Sequence, residues 1–168
     1  MKKKIALKYG LISGGLIVCS WFVTIGFGDT PDFAGGEIVG YTIMIAALTA
    51  VFIGIKKIRD ENGSLTFKEG FVNGLGISLV ASIIYVIGWM IYMPTFAPDF
   101  ADKYGAAQVE LIEQSDLTAE EKAAQINDMN EWIESYKQPH VMAAMTFTEI
   151  FPVGLIVTLI SALILKRR

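Results

Sequence analysis

Four long apolar runs alternate with polar segments along the chain, and they cover about residues 9–28, 37–55, 70–92 and 146–165. An α-helix rises about 1.5 Å per residue, so each run is long enough to cross a hydrocarbon core of about 30 Å. The first run follows a lysine-rich start, but it is too long for a typical secretory signal and is expected to remain as a span. The pattern predicts an all-α polytopic membrane protein with four transmembrane helices, forming one membrane domain over residues 1–168.

The segment of residues 95–140 is polar and is expected to form a helical hairpin between the third and fourth spans. Pro98 and Asp99 suit the first turn of a helix, because proline needs no donor there and a carboxylate favours the helix N-terminus. Thr118 and Glu121 have the spacing of a capping box and predict a second helix. This second helix carries an apolar stripe of Ile126, Met129, Ile133 and Tyr136. The stripe either packs on the first outer helix or the membrane surface, or offers a docking face to another protein.

The basic residues are concentrated in three places. Eleven of the fourteen Lys and Arg lie within residues 2–8, 56–70 and 166–168, whereas fourteen of the seventeen Asp and Glu lie elsewhere. By the positive-inside rule, both termini and the loop between the second and third spans are expected in the cytoplasm. The acidic hairpin is then expected on the extracytoplasmic side.

The composition excludes several kinds of functional site. Cys19 and His140 are the only residues of their types, so the chain can form neither an internal disulfide nor a metal site built on several cysteines or histidines. No H-E-x-x-H, phosphate-binding glycine loop, G-x-S-x-G or C-x-x-C motif occurs. We therefore expect no cofactor and no nucleic-acid partner. The sequence favours a protein without enzymatic activity, but it does not exclude an enzyme.

Two stretches around the third span carry a family resemblance: GIKKIRDENGSLTFKEGF before it and YVIGWMIYMPTFAPDFADKY at its exit. The sequence PVGL at residues 152–155 of the last helix adds to it. With these stretches, the chain resembles an uncharacterised bacterial family of small four-span membrane proteins, known only as a domain of unknown function. The resemblance covers nearly the whole chain. It implies the four-span topology and a place in the bacterial cytoplasmic (inner) membrane, and it implies no activity.

Ionisable groups near the outer ends of the spans are the best candidates for a site, because charge at membrane depth is costly and often functional. Glu149 lies just inside the fourth span, and Glu37 lies at the matching edge of the second. The candidate outer-face polar site comprises Asp32, Glu37, Asp99, His140 and Glu149. These side chains are either solvated at the interface, or bind a divalent cation or relay protons.

Glycines recur at intervals of four residues in the spans. Three G-x-x-x-G pairs occur: Gly10 with Gly14, Gly36 with Gly40, and Gly70 with Gly74. Such faces let helices approach closely in lipid. We expect these glycines to pack helices within one bundle, and a homo-oligomer is the alternative.

Three classes of function remain open at this point. The favoured class is a non-enzymatic membrane protein that binds a protein partner through its acidic outer helices or organises the cell envelope. A small transporter or ion-conducting subunit is the alternative, although the middles of the spans hold almost no charge. An interfacial enzyme is the third class, and the chain shows no nucleophile–base pair for it. The lipid bilayer is the partner that composition itself implies.

Overall fold

The structure, a computed structural model, describes residues 1–24 and 33–167, without the side chains of residues 23, 24 and 33–37. The described residues form six α-helices: α1 (Lys3–Thr24), α2 (Phe33–Asn62), α3 (Phe67–Phe96), α4 (Phe100–Gln114), α5 (Ala119–Tyr136) and α6 (Pro139–Leu165). Four of them, α1, α2, α3 and α6, are long and apolar enough to cross a membrane. The described residues contain no strand, only a single antiparallel bridge between Leu65 and Arg167. The predicted all-α fold with four long apolar helices is confirmed.

The helices that flank the hairpin extend further than the apolar runs. α3 continues through Pro94 to Phe96, and α6 begins at Pro139 although its apolar run begins only at about residue 146. Proline is tolerated in the first turn of a helix. Near the end of α3, Pro94 removes only one backbone donor, and the amide of Ala97 still donates to the carbonyl of Met93 at 3.0 Å. An apolar run therefore marks the core of a span, and the helix itself ends elsewhere.

The chain divides into two compact units. The first comprises Met1–Trp89 and Thr146–Arg168, and so contains α1, α2 and most of α3 and α6. The second comprises Met90–Met145 and contains α4 and α5 with the adjoining ends of α3 and α6.

Two helices begin with a capping box, and the box at the start of α5 is the one predicted from Thr118 and Glu121. In the first unit, the amide and hydroxyl of Thr66 both donate to the Glu69 carboxylate, at 2.9 and 2.7 Å, and the Glu69 amide donates back to the Thr66 hydroxyl. The loop before it turns at Gly63, whose φ of 75° is a conformation that favours glycine. In the second unit, Thr118 and Glu121 form the same reciprocal pair at the start of α5. Both boxes satisfy backbone donors that a helix start leaves without partners.

In the first unit, α3 and α6 lie against each other along small residues in antiparallel register. A Cβ built on Gly70, Gly74 or Gly154 would lie 3.2, 2.7 or 3.0 Å from an atom of the opposite helix. The contacting pairs are Gly70 with Ala162, Gly74 with Thr158, and Gly154 with Ser78. Each step of four residues forward on α3 is matched by a step of four residues backward on α6, as the geometry of antiparallel helices requires.

α3 also contacts the other two helices of this unit. A Cβ on Gly10 of α1 would lie 2.5 Å from the Cβ of Val80, and a Cβ on Gly14 would lie 2.7 Å from the Cβ of Ile84. Gly54 of α2 faces Ile77 of α3. α3 thus contacts α1, α2 and α6, which makes it the common neighbour of the first unit.

The glycine face predicted for α2 does not contact another helix at Gly40. A Cβ on Gly40 would meet nothing within 4 Å, so the packing role predicted for Gly40 is not seen among the described residues. Contacts of Gly36 lie outside the described part of the structure. Gly10, Gly14, Gly70 and Gly74 all lie against a neighbouring helix or loop.

In the second unit, α4 and α5 pack against each other through the stripe that the sequence identified. Ile133 is buried and lies directly over Gly105, where a Cβ would collide with its side chain. The rings of Tyr104 and Trp132 lie 5.7 Å apart. Lys137 of the loop after α5 forms an ion pair with Asp102 of α4 at 2.9 Å. Packing on the first outer helix therefore accounts for Ile133 in the stripe.

Candidate functional site

Glu149 is the predicted site residue whose surroundings in the first unit are best defined. It lies on α6, is half-buried, and precedes Pro152 of the same helix by three residues. The hydroxyl of Tyr85 on α3 donates a hydrogen bond to its Oε2 atom at 3.1 Å. A second helix thus orients the carboxylate, and the α3–α6 register described above makes that contact possible.

Tyr85 belongs to a cluster of three aromatic rings, with Trp21 of α1 and Trp89 of α3. Trp21 meets both others edge to face, with ring centroids 5.1 Å from Tyr85 and 5.1 Å from Trp89. Tyr85 and Trp89 lie one helical turn apart, with nearly parallel rings 6.3 Å apart. Edge-to-face pairs at these distances are favourable because the positive ring edge meets the negative ring face.

Asp99 and His140 belong to the second unit. The Asp99 carboxylate forms an ion pair with Lys103 at 2.7 Å, which lowers the pKa of Asp99 from its ordinary value. His140 is exposed in the first turn of α6. Neither residue is joined to the other by a hydrogen bond or ion pair that involves its side chain. Both side chains are exposed in the second unit.

The remaining two candidates lie beyond what the structure describes. Asp32 falls between the described ranges, and for Glu37 only the backbone within α2 is described. Among the described residues, no three His, Cys, Asp or Glu side chains are grouped so that they could hold a metal ion. The five-residue outer-face site stays a prediction.

A family model, described as a protein of unknown function (DUF4199), matches residues 8–167. The chain belongs to this family. The match includes all six helices apart from the first residues of α1, so the DUF4199 domain and the described fold are nearly coextensive. No curated protein and no solved structure matched the chain.

The interior of the DUF4199 fold contains a pair of hydroxyl groups that sequence reasoning missed. Ser78 of α3 and Thr158 of α6 are both fully buried, with their oxygens 2.9 Å apart. Ser78 also lies 3.1 Å from the carbonyl oxygen of Gly154, as the donor of a second hydrogen bond. The available signal was spacing, because Ser78 continues the four-residue interval of Gly70 and Gly74. These neutral groups join two helices and supply no charge.

Asn73 and Ser13 are two further buried polar residues of the DUF4199 protein. Asn73 accepts a hydrogen bond from the backbone amide of Lys2 at 2.7 Å and donates to the carbonyl of Glu69. Ser13 on α1 is fully buried, and its hydroxyl is the one buried side-chain polar atom of the described residues without a hydrogen-bond partner. Neither side chain is ionisable, so Glu149 with Tyr85 stays the candidate arrangement on the long apolar helices of the first unit.

Proposed function

We propose that this DUF4199 protein is a multi-pass protein of the bacterial cytoplasmic membrane that binds a basic protein partner through its α4–α5 hairpin and has no enzymatic activity. In this proposal α1, α2, α3 and α6 cross the bilayer, and both termini and the α2–α3 loop lie in the cytoplasm. The distribution of Lys and Arg supports that orientation, because eleven of the fourteen lie in these three segments. The hairpin then lies on the opposite side, where it could also organise the envelope.

The observation that carries the binding role is that the hairpin buries Ile133 and Tyr136 and turns its charge outward. Ile133 is covered by α4, so the fold of the hairpin does not require a partner to cover it. Residues 99–138 hold ten carboxylates and three lysines. Each lysine already bonds a group of the hairpin itself: Lys103 to Asp99, Lys122 to the carbonyl of Glu113, and Lys137 to Asp102 and Glu134. The outward field is therefore negative, and it favours a positively charged partner surface.

Site-specific photo-crosslinking in intact cells tests this role. A photoreactive residue at Gln108 or Gln125 on the hairpin should give a defined protein adduct, and one at the exposed Ile83 of α3 should not. Neutralising Glu113, Glu120 and Asp128 should abolish the adduct, because their exposed carboxylates contribute to the field that attracts the partner.

The matched control removes two exposed side-chain amides from α5 without changing the net charge of the hairpin. An Asn127→Ala, Asn130→Ala variant should retain the adduct. An adduct that survives neutralisation of the three carboxylates would contradict electrostatic recognition. Full function after deletion of residues 101–138 would contradict the binding role of the hairpin.

Orientation has a separate test in a Cys19→Ser background. A cysteine that replaces Ser64 in the α2–α3 loop should be shielded from an impermeant thiol reagent in intact cells, and one that replaces Gln125 on α5 should react. The opposite labelling would invert the proposed topology.

A small transporter or ion-conducting subunit is the second candidate, and the position of Glu149 favours it. A half-buried carboxylate on an apolar helix is costly in a bilayer unless it is paired or used. Flux of an ion or small solute across the membrane of proteoliposomes that is lost in Glu149→Gln and in Glu37→Gln would support this candidate. Flux that is unchanged in both variants would contradict it.

A further inference from the structure

A cavity of about 340 Å³ lies in the second unit, where α4 and α5 meet the adjoining ends of α3 and α6. Among the described residues, three methionines line it: Met90 and Met93 near the end of α3, and Met142 near the start of α6. The chain has seven methionines in 168 residues, so three among eleven lining residues are several times more than an even distribution would give. This excess makes thioether sulfur the distinctive chemistry of the cavity.

The walls of the cavity combine rigid and adaptable residues. Pro94, Pro98 and Pro139 also line it, and a proline ring fixes the backbone φ angle. A methionine side chain is unbranched and has three rotatable bonds, so in a protein core it ordinarily adapts to fill an irregular gap. Here three methionines border a space that they leave open. Gap filling therefore does not account for this cluster.

The positions of the three methionines allow their sulfur atoms to converge on one ion. Met90 and Met93 are three residues apart on α3, so they lie on the same face of the helix, about one turn apart. Met142 lies at the same cavity on α6. Met93 is buried, whereas Met90 and Met142 are half-buried. The flexibility of the three side chains supplies the movement that brings their sulfur atoms together.

The charge beside the cavity favours a cation. Lys137 lines the cavity, and its ammonium group forms ion pairs with Asp102 and with Glu134, both at 2.9 Å. Two carboxylates around one ammonium leave one negative charge in excess among these three groups. An anion such as a fatty acid would therefore meet a lysine that is already neutralised, whereas a monovalent cation would balance the excess charge.

Thioether sulfur determines which cation suits this cavity. It is a soft ligand that selects Cu(I), whereas calcium and magnesium take oxygen ligands. We propose that Met90, Met93 and Met142 form a thioether site that binds Cu(I), a soft monovalent metal ion. The three sulfur atoms are neutral ligands, and the excess negative charge around Lys137 balances the charge of the ion. The site requires no protein partner, so it is independent of the proposed binding role of the hairpin.

The test measures transfer of Cu(I) to the purified full-length protein in detergent, without oxygen and with ascorbate as reductant. The protein carries Cys19→Ser, because Cys19 is an exposed free thiol that would itself bind Cu(I). Bicinchoninate forms a coloured complex with Cu(I), so loss of its colour reports transfer to the protein. We expect one equivalent of Cu(I) per chain, and X-ray absorption at the copper edge should show sulfur ligands. Zn(II) should not displace the bound ion.

Methionine-to-leucine variants remove sulfur and keep an apolar side chain of similar volume. Met93→Leu and Met142→Leu should each weaken Cu(I) binding by at least about tenfold, because even the loss of an outer-shell partner of a metal site costs about 10–100-fold in affinity. Met129→Leu on α5 is the matched control, since Met129 does not line the cavity, and it should leave the affinity unchanged. Circular dichroism verifies that each variant is folded. The two test variants lie on different helices, so either one provides the test if the other does not fold.

Three results would overturn the proposal. They are no transfer of Cu(I) from bicinchoninate to the protein, copper bound through nitrogen or oxygen without sulfur, and undiminished affinity in folded Met93→Leu or Met142→Leu. The leucine variants leave the charge of the hairpin unchanged, so failure of Cu(I) binding and failure of the partner crosslinking remain distinguishable.

Discussion

Gly14 and Gly15 are adjacent on α1, and the same substitution should have opposite effects at the two positions. A Cβ on Gly14 would lie 2.7 Å from the Cβ of Ile84 and 2.9 Å from the carbonyl oxygen of Ala81. A Cβ on Gly15 would meet nothing within 4 Å. Neither the Cβ of Ile84 nor the oxygen of Ala81 can rotate away, because both are fixed by the backbone of α3. We therefore expect Gly14→Ala to destabilise the first unit and Gly15→Ala to stabilise it.

The magnitude follows from two terms. Carbon atoms in contact prefer separations of about 3.5–4.0 Å, so the methyl group at residue 14 would force α1 from α3 by roughly 1 Å. Overpacking of this kind costs about 1–3 kcal/mol. Replacing a glycine inside a helix by alanine gains roughly 0.5–1 kcal/mol, and both variants have this gain. The difference between Gly15→Ala and Gly14→Ala is thus about 1–3 kcal/mol in free energy of unfolding.

The assay is SDS-induced unfolding of the purified full chain in mixed micelles, followed by circular dichroism. Gly40→Ala on α2 is a second control, since a Cβ there also meets nothing within 4 Å, and it should behave like Gly15→Ala. Equal unfolding free energies for Gly14→Ala and Gly15→Ala would refute the close approach of α1 and α3. A loss of stability in Gly15→Ala would show that a contact exists on the opposite face of α1.

Three further predictions concern individual side chains. Ser13→Ala should raise the free energy of unfolding in the same assay by about 1 kcal/mol, because a buried hydroxyl without a partner costs free energy. A clear decrease would reveal a hydrogen bond to Ser13. Hydrogen bonds from the side chain and the backbone of Thr118 lower the pKa of Glu121 from its ordinary value. The capping box at the start of α5 should therefore be intact above the ordinary pKa and should be lost as the pH falls through the lowered pKa. Thr118→Ala should raise that pKa in a carbon-13 NMR titration, and an unchanged value would exclude the cap. Gly105→Val should open the hairpin, because its side chain would collide with Ile133, and limited proteolysis within residues 99–138 should become faster than in wild type.

Features that depend on neighbours in sequence were predictable. The capping boxes at Thr66 and Thr118 arise from side chains that reach backbone groups three residues away, so their chemistry is complete within one turn. The limits of α5 follow from such a start and from Pro139 soon after its end. Apolar runs likewise predicted four long helices, because length and composition decide whether a helix can cross a membrane.

Features that depend on which helices meet were not predictable to the same degree. Gly14 and Gly40 have equivalent G-x-x-x-G spacing, yet one lies against α3 and the other faces open space. The spacing defines a small-residue face, but it does not specify what covers that face. Ser78 escaped notice because its partner Thr158 is eighty residues away, and only the antiparallel register of α3 and α6 brings their hydroxyls together.

The candidate site shows the same division. Glu149 could be selected from the sequence, because a carboxylate on an apolar helix has a high free-energy cost in a membrane and is therefore rare. Its partner Tyr85 was not among the candidate residues selected from the sequence. That bond depends on the rotation of α3 relative to α6, and no pattern within either helix encodes it.

The position of α3 as the common neighbour of α1, α2 and α6 has a consequence for biogenesis. Helices enter a membrane in the order of their synthesis, so α1 and α2, which also contact each other, arrive before α3. Lipid can solvate their glycine faces during this interval, because the backbone groups of a helix are already bonded within it. During the same interval, two nascent chains expose identical faces to each other. The rate at which α3 follows α2 out of the translocon therefore sets how often these faces meet a second copy before they meet their own partner.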